Sequence, residues 1–151
     1  MKKLILLTLT LIVILTACSV GASSELEKNR QTWLDSGITH YRFSLNIGCF
    51  CAFRNQMPVK VEVQNDEIIS MTYPDGTLIA TTDQNYENFS RHATIERIFS
   101  ELEAGLAGDA DEVTVAYDSS RGFPSEIYFD YIKDAVDDEL SLTVSNFEVL
   151  K

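Results

Sequence analysis

Tyr41-Arg42-Phe43-Ser44-Leu45-Asn46-Ile47 puts a large apolar side chain at every second position and a polar one between. A period of two lines up all four apolar residues on one side of an extended chain, so the stretch reads as a half-buried strand. The same beat returns downstream. Val59, Val61 and Val63 alternate with Lys60, Glu62 and Gln64, Asn65-Asp66 makes a turn, and Ile68 to Tyr73 comes back as the second arm of a hairpin. Three more strands follow later: Val113-Val115-Tyr117, Ile127-Phe129-Tyr131, and Leu140-Leu142-Val144 running on to Phe147 and Val149.

Each set of three strands is preceded by a helical pattern. Ser24-Glu25-Leu26-Glu27 has the form of a capping box, in which Ser24 accepts from an amide of the first turn and Glu27 reaches back. Leu26, Arg30, Trp33 and Leu34 then share a stripe, and Gly37 ends the segment. Thr94 caps a second helix with Ile95, Ile98, Phe99, Leu102 and Leu106 on one face, closed by Gly105 and Gly108. Between the hairpin and this helix, Pro74-Asp75-Gly76 is a strong turn, and residues 77–92 carry little pattern. A loop of that length is usually functional or mobile. Two helices on antiparallel strands make an α+β domain, with a helix-plus-three-strand outline repeated twice, over residues 24–93 and 94–151. In outline this resembles the small periplasmic modules of the PepSY and β-lactamase-inhibitor-protein type, a likeness that does not carry function with it.

The N-terminus gives an address. Lys2 and Lys3 precede an apolar run from Leu4 to Leu15, followed by Thr16, Ala17 and Cys18. A basic start, a short apolar run and small residues at the cut describe a secretory signal peptide; a membrane span needs about twenty apolar residues. Leu15-Thr16-Ala17-Cys18 resembles the bacterial lipobox. That resemblance implies cleavage before Cys18, diacylglycerol on its sulfur and an acyl chain on its amine, enough for stable anchoring. The expected division is a leader over 1–17, a lipidated tether over 18–24 and one domain over 25–151. The expected location is the cell envelope, with the lipid anchor as the protein's contact with the membrane. Ser19 after the cysteine implies the outer membrane, facing the periplasm, in a Gram-negative cell; in a Gram-positive cell the place would be the outer face of the plasma membrane.

The remaining composition narrows the function classes. The chain has 151 residues, 45% of them hydrophobic and 23% charged, which suits one globular domain. Its 23 acidic residues against 12 basic ones leave a net charge of −11, which repels nucleic acid. With Cys18 taken by lipid, Cys49 and Cys51 are an even remainder in an oxidising compartment. In a straight strand their Cα atoms would lie about 6.6 Å apart, near the upper limit for a disulfide, and Gly48 offers backbone freedom beside them. Four readings stay open for Cys49-Phe50-Cys51: a structural clip, a redox pair, metal thiolates, or unpaired buried thiols. A three-residue loop contributes only about 1.6 kcal/mol by chain entropy, and a thioredoxin-type pair would have two intervening residues.

Other candidates are weaker. Met57 or Met71 would join the two thiolates in holding a soft ion such as copper(I), although such methionines are commonly core filler. His40 and His92 are isolated and read as strand-edge and helix-entry residues. Asp134, Asp137, Asp138 and Glu139 are acidic enough for calcium but lack the EF-hand pattern; they read as a solvated loop, as do Asp109, Asp111 and Glu112. Tyr128, Tyr131 and Phe123 near Arg121 would make an aromatic recognition patch if the fold gathered them. No hydrolase elbow, zinc-protease helix or phosphate loop is present, so the expectation is a non-enzymatic binding module without a cofactor, its protein partner within the envelope.

Together, several short motifs carry a family resemblance across nearly all of residues 25–151. They are Cys49-Phe50-Cys51 after an aromatic-rich strand, Thr94-Ile95-Glu96-Arg97-Ile98-Phe99, Tyr117-Asp118, Gly122-Phe123-Pro124, Ile127, Asp130 and Asp137-Asp138-Glu139. In this order they resemble an uncharacterised family of bacterial lipoproteins, catalogued as domain of unknown function 6174. The resemblance implies location and fold, and no activity.

Overall fold

The computed structural model describes residues 17–151, with side chains from residue 21 onward. The expected leader up to residue 16 and the lipid-bearing side chain of Cys18 lie outside the described residues. Helix α1 spans Ala17–Asp35, β1 His40–Gly48, β2 Val59–Gln64, β3 Glu67–Thr72, α2 Tyr86–Ser90, α3 Ile95–Ala104, β4 Glu112–Tyr117, β5 Pro124–Asp130 and β6 Leu140–Val149. A 3-10 turn at Arg54–Gln56 follows β1, and a π turn at Gly105–Asp109 follows α3. No described helix is long and apolar enough to cross a membrane.

All six strands form one antiparallel sheet in the order β3-β2-β1-β6-β5-β4. Each half of the chain supplies three consecutive strands, and the halves meet where the first strand, β1, pairs with the last, β6. The helix-plus-three-strand outline is therefore the real architecture, and the fold class is α+β. One face is apolar: Tyr41, Phe43, Leu45 and Ile47 of β1 are buried there with Val59, Val61, Val63, Ile127, Phe129, Leu142 and Val144. Leu26 and Trp33 of α1 and Ile95, Ile98, Phe99 and Leu102 of α3 complete the core. A buried Leu, Ile or Phe contributes about 1.5–3 kcal/mol, so this face holds the domain together.

Local chemistry sets the connections. Asn65 and Asp66 both take positive φ (52° and 62°), as the tight turn between β2 and β3 requires. Thr94 Oγ1 accepts the Arg97 amide at 3.2 Å and caps α3. Gly108, at φ 118°, is the residue that stops the helical path. Gly105, read from sequence as part of that stop, stays helical and is needed for closeness: a Cβ there would stand 2.5 Å from the Phe129 ring.

The sequence also holds an apolar parity that flips between Val144 and Phe147. A β-bulge explains it: the β1–β6 register shifts between Arg42 and Ser44, opposite Asn146 with its φ of 51°. The extra residue returns Phe147 to the core side.

Two expectations are corrected and one open point is filled in. Helix α1 begins at Ala17, so Ser24 lies within it and does not cap it, and the backbone of residues 18–24 is helical; no proline interrupts the stretch. Leu34 is 53% exposed, because Trp33 takes the core side of the last turn. Residues 77–92 are anchored: Ile79, Phe89, Ser90 and His92 are buried, α2 lies within the segment, and Ile79 N–H donates to Met71 O at 2.8 Å.

Candidate functional site

At Gly48 the chain leaves the sheet because β1 stays paired to Ser141 up to that point and then bends. Gly48 has ordinary backbone angles; its lack of a side chain matters because a Cβ would meet the Ser141 hydroxyl. Its sequence-based role as a source of backbone freedom is thus replaced by one of close approach. The bend brings Cys49 and Cys51 together as a disulfide, with Cα atoms 5.2 Å apart. That is shorter than the straight-strand spacing, and the bend is the reason.

Phe50, between the two cysteines, is 70% exposed, and the Arg54 guanidinium lies over its ring at 5.6 Å. The loop is held from below. Phe53 is buried against Phe89 in an edge contact at 5.1 Å, and Arg54 N–H donates to Cys51 O at 3.3 Å. Two residues beyond the bridge, then, an aromatic side chain already anchors the loop to the formerly patternless segment.

The bridge forms part of a cleft of about 390 Å³. Ile47, Phe53 and Leu140 give it apolar walls, Tyr131 closes one side, and Asn88, Arg91, His92 and Glu101 supply polar groups. Asp137, Asp138 and Glu139 form an acidic rim. Across Phe50 lies a second, smaller cleft of about 240 Å³ that Cys49 also borders, with Tyr128, Asp137, Glu139 and Ser141.

His92 and Glu101 are the groups that sequence reasoning missed here. Nδ1 of the buried His92 bonds the Glu101 carboxylate, nine residues on. A carboxylate only accepts, so the ring donates from Nδ1 and Nε2 is left as its other polar atom. The one sequence signal was His92's place two residues before the Thr94 cap. Burial, and then the charges of Glu101 and Asp109, hold the Tyr131 hydroxyl above its ordinary pKa, so it stays a neutral donor. Asp130, beside the rim, is also pushed up, by desolvation and then by Asp138, Glu139, Glu112 and Asp111. Crowded carboxylates favour the protonated form.

The remaining candidates fall into structural places. Asp138 Oδ2 accepts the Ile132 amide at 2.6 Å and Asp111 the Lys133 amide at 2.8 Å, so these acids shape the β5–β6 loop. Among the described residues no three His, Cys, Asp or Glu side chains converge as a metal-ligand group. Met71 is buried in the core, and Met57 Sδ accepts the Ile47 amide at 3.4 Å. His40 pairs with Glu62 at 3.0 Å.

The aromatic patch does not assemble. Phe123 is buried against Trp33 and Phe147 with Arg121 over the Phe147 ring, whereas Tyr131 stacks on Phe129 at the other end of the sheet. Tyr128 points to the uncovered face, 38% exposed.

No curated protein and no solved structure matches the chain, so the likeness in outline to PepSY-type modules has no matching structure behind it. One family model does match, over residues 25–149, which takes in both helix-plus-three-strand halves and the bridged loop. The chain belongs to the family of unknown function DUF6174.

Proposed function

We propose that the protein is a lipid-anchored envelope domain that docks another envelope protein through the Cys49-Phe50-Cys51 loop and the cleft behind it. The anchor half of this reading is supported by Lys2-Lys3, the apolar run to Leu15 and the Leu15-Thr16-Ala17-Cys18 motif. One observation carries the docking half: a large aromatic ring, 70% exposed, stands on a loop pinned from beneath by Phe53. An isolated exposed apolar residue is ordinary, but a fixed one at the mouth of a cleft is what an interface anchor requires.

Two experiments test the halves separately. The intact mass of membrane-extracted protein should show loss of residues 1–17 and a triacyl adduct on Cys18; an unmodified N-terminus defeats the anchor. A photo-crosslinking residue at position 50 should give one discrete protein adduct in cells, while the same probe at Thr114 on the uncovered sheet face gives none. Equal labelling from both positions defeats the docking site.

A further inference from the structure

We infer that Cys49 and Cys51 form a thiol–disulfide exchange site whose substrate is a dithiol carried on a basic protein segment. The inference rests on the docking reading only for where a partner would sit; the chemistry belongs to the folded domain alone.

Four observations converge on it. First, the bridge joins no two elements. It closes a loop only two residues in separation, and Phe53 and Phe89 already hold that loop to the body of the domain. Second, the bridge is within reach. Both cysteines are part-exposed, and Cys49 borders a cleft on each side of Phe50. Third, the surroundings select by charge. Asp137 and Glu139 line both clefts and both are exposed, and with Asp138 they outweigh the nearby cations, Arg91 in the larger cleft and Arg54 over Phe50. An attacking thiolate is negative, so an anionic carrier is repelled and a cationic one is drawn in. Fourth, a buried imidazole shares the cleft: His92, its Nδ1 committed to Glu101, lines the same walls as the two cysteines.

The exchange balances without further reagents. A partner thiolate attacks Cys49 Sγ, the Cys49–Cys51 bond breaks, and the Cys51 sulfur leaves with the electron pair and takes a proton. The partner is then joined to Cys49. Its second thiol, as thiolate, attacks its own sulfur in that mixed disulfide, releasing the Cys49 sulfur, which is protonated in turn. Two electrons and two protons pass from the partner dithiol to the pair, and a partner disulfide runs the same steps backwards.

The test uses full-length protein in detergent, opened by cysteamine (cationic) or 3-mercaptopropionate (anionic) and read by alkylation and mass. The same chain unfolded in urea corrects for the thiols' own reactivity. Folded protein should favour cysteamine by about tenfold beyond the unfolded chain, within the range of electrostatic rate effects. Salt should erase that preference, and so should the Asp137→Asn/Glu139→Gln variant. Cys51→Ser should retain a mixed disulfide on Cys49. A bridge that opens only on unfolding is a structural clip and overturns the inference, as does a folded-state rate indifferent to thiol charge. Small thiols need no docking, so loss of the position-50 crosslink leaves this result standing, and the converse also holds.

Discussion

At its His40 end β1 enters a cluster of aromatic rings: Tyr41, Trp33, Phe123 and Phe147 meet at centroid distances of 4.6–5.9 Å. At its Gly48 end the strand enters a loop that holds Phe50 out in solvent. The polar groups divide in the same way. Ile95 N–H, an amide at the start of α3, donates to the buried Tyr41 hydroxyl at 3.1 Å, and burial keeps that hydroxyl neutral, far above its ordinary pKa. Asp118, in the turn between β4 and β5 at the aromatic end, would be raised by burial; hydrogen bonds from Ser120 and Arg121 outweigh that and lower it. Asp130, at the opposite end of β5, is raised among like charges. One end of the sheet packs rings against one another, and the other gathers like charges beside an exposed ring, a local conflict of the kind that marks where function is to be sought.

The largest expected break of this contrast is Trp33→Ala. It empties the aromatic cluster and should cost about 3–5 kcal/mol, read from the urea midpoint with its slope unchanged. A loss no larger than that of a surface substitution would mean the cluster does not anchor the fold. Tyr41→Phe comes next. It keeps the ring but leaves the Ile95 amide buried without its acceptor, at about 1–3 kcal/mol by the same measurement.

At the other end, replacing Cys49 and Cys51 together by Ser should cost no more than the roughly 1.6 kcal/mol of a three-residue loop. A larger loss would make the bridge a structural clip and dissolve the contrast.

The smallest effects are in pH dependence. The depressed pKa of Asp118 stabilises the folded state above the unfolded pKa, and that stability is lost as pH falls through the folded value. Asp118→Asn should therefore be less stable than wild type at neutral pH, with the difference vanishing in acid. For Asp130 the sign reverses. Its raised pKa means ionisation opposes folding, so wild type recovers stability as pH falls through the folded value. Asp130→Asn should be the more stable protein at neutral pH, with the gain vanishing in acid. Chemical denaturation of each variant beside wild type from pH 7 to pH 3 checks both; two differences of the same sign would erase the electrostatic distinction.

Much of the aromatic end was legible because local rules govern it. Alternation at Tyr41 to Ile47, the Asn65-Asp66 turn and the Thr94 cap are each read within a few residues. The last strand was read as Leu140 to Val144 running on to Phe147 and Val149, and only its pairing with β1 shows the bulge that changes its parity. The cleft was legible only as Cys49-Phe50-Cys51. His92, just before α3, meets Glu101 within it, and Phe53 meets Phe89 across 36 residues. Such contacts depend on tertiary packing and leave no periodic trace. The start of α1 was misplaced for a different reason: Ser24 and Glu27 satisfy a capping pattern that the backbone does not use, since the helix is already under way.

The order β3-β2-β1-β6-β5-β4 also bears on how the chain comes together. Arg42 and Glu148, which join across the central seam, are 106 residues apart, so the seam is a pairing of high sequence separation. Closing such a loop must precede any gain from the contacts it brings, which slows folding. Until Leu140–Val149 is available, β1 and β5 each present a bare edge of unpaired amides and carbonyls in the middle of the future sheet. A chain stopped short of Leu140 would keep both edges open, and an open edge is a template for a strand from another molecule. The last strand thus completes the core and also withdraws two adhesive edges from contact with neighbouring chains.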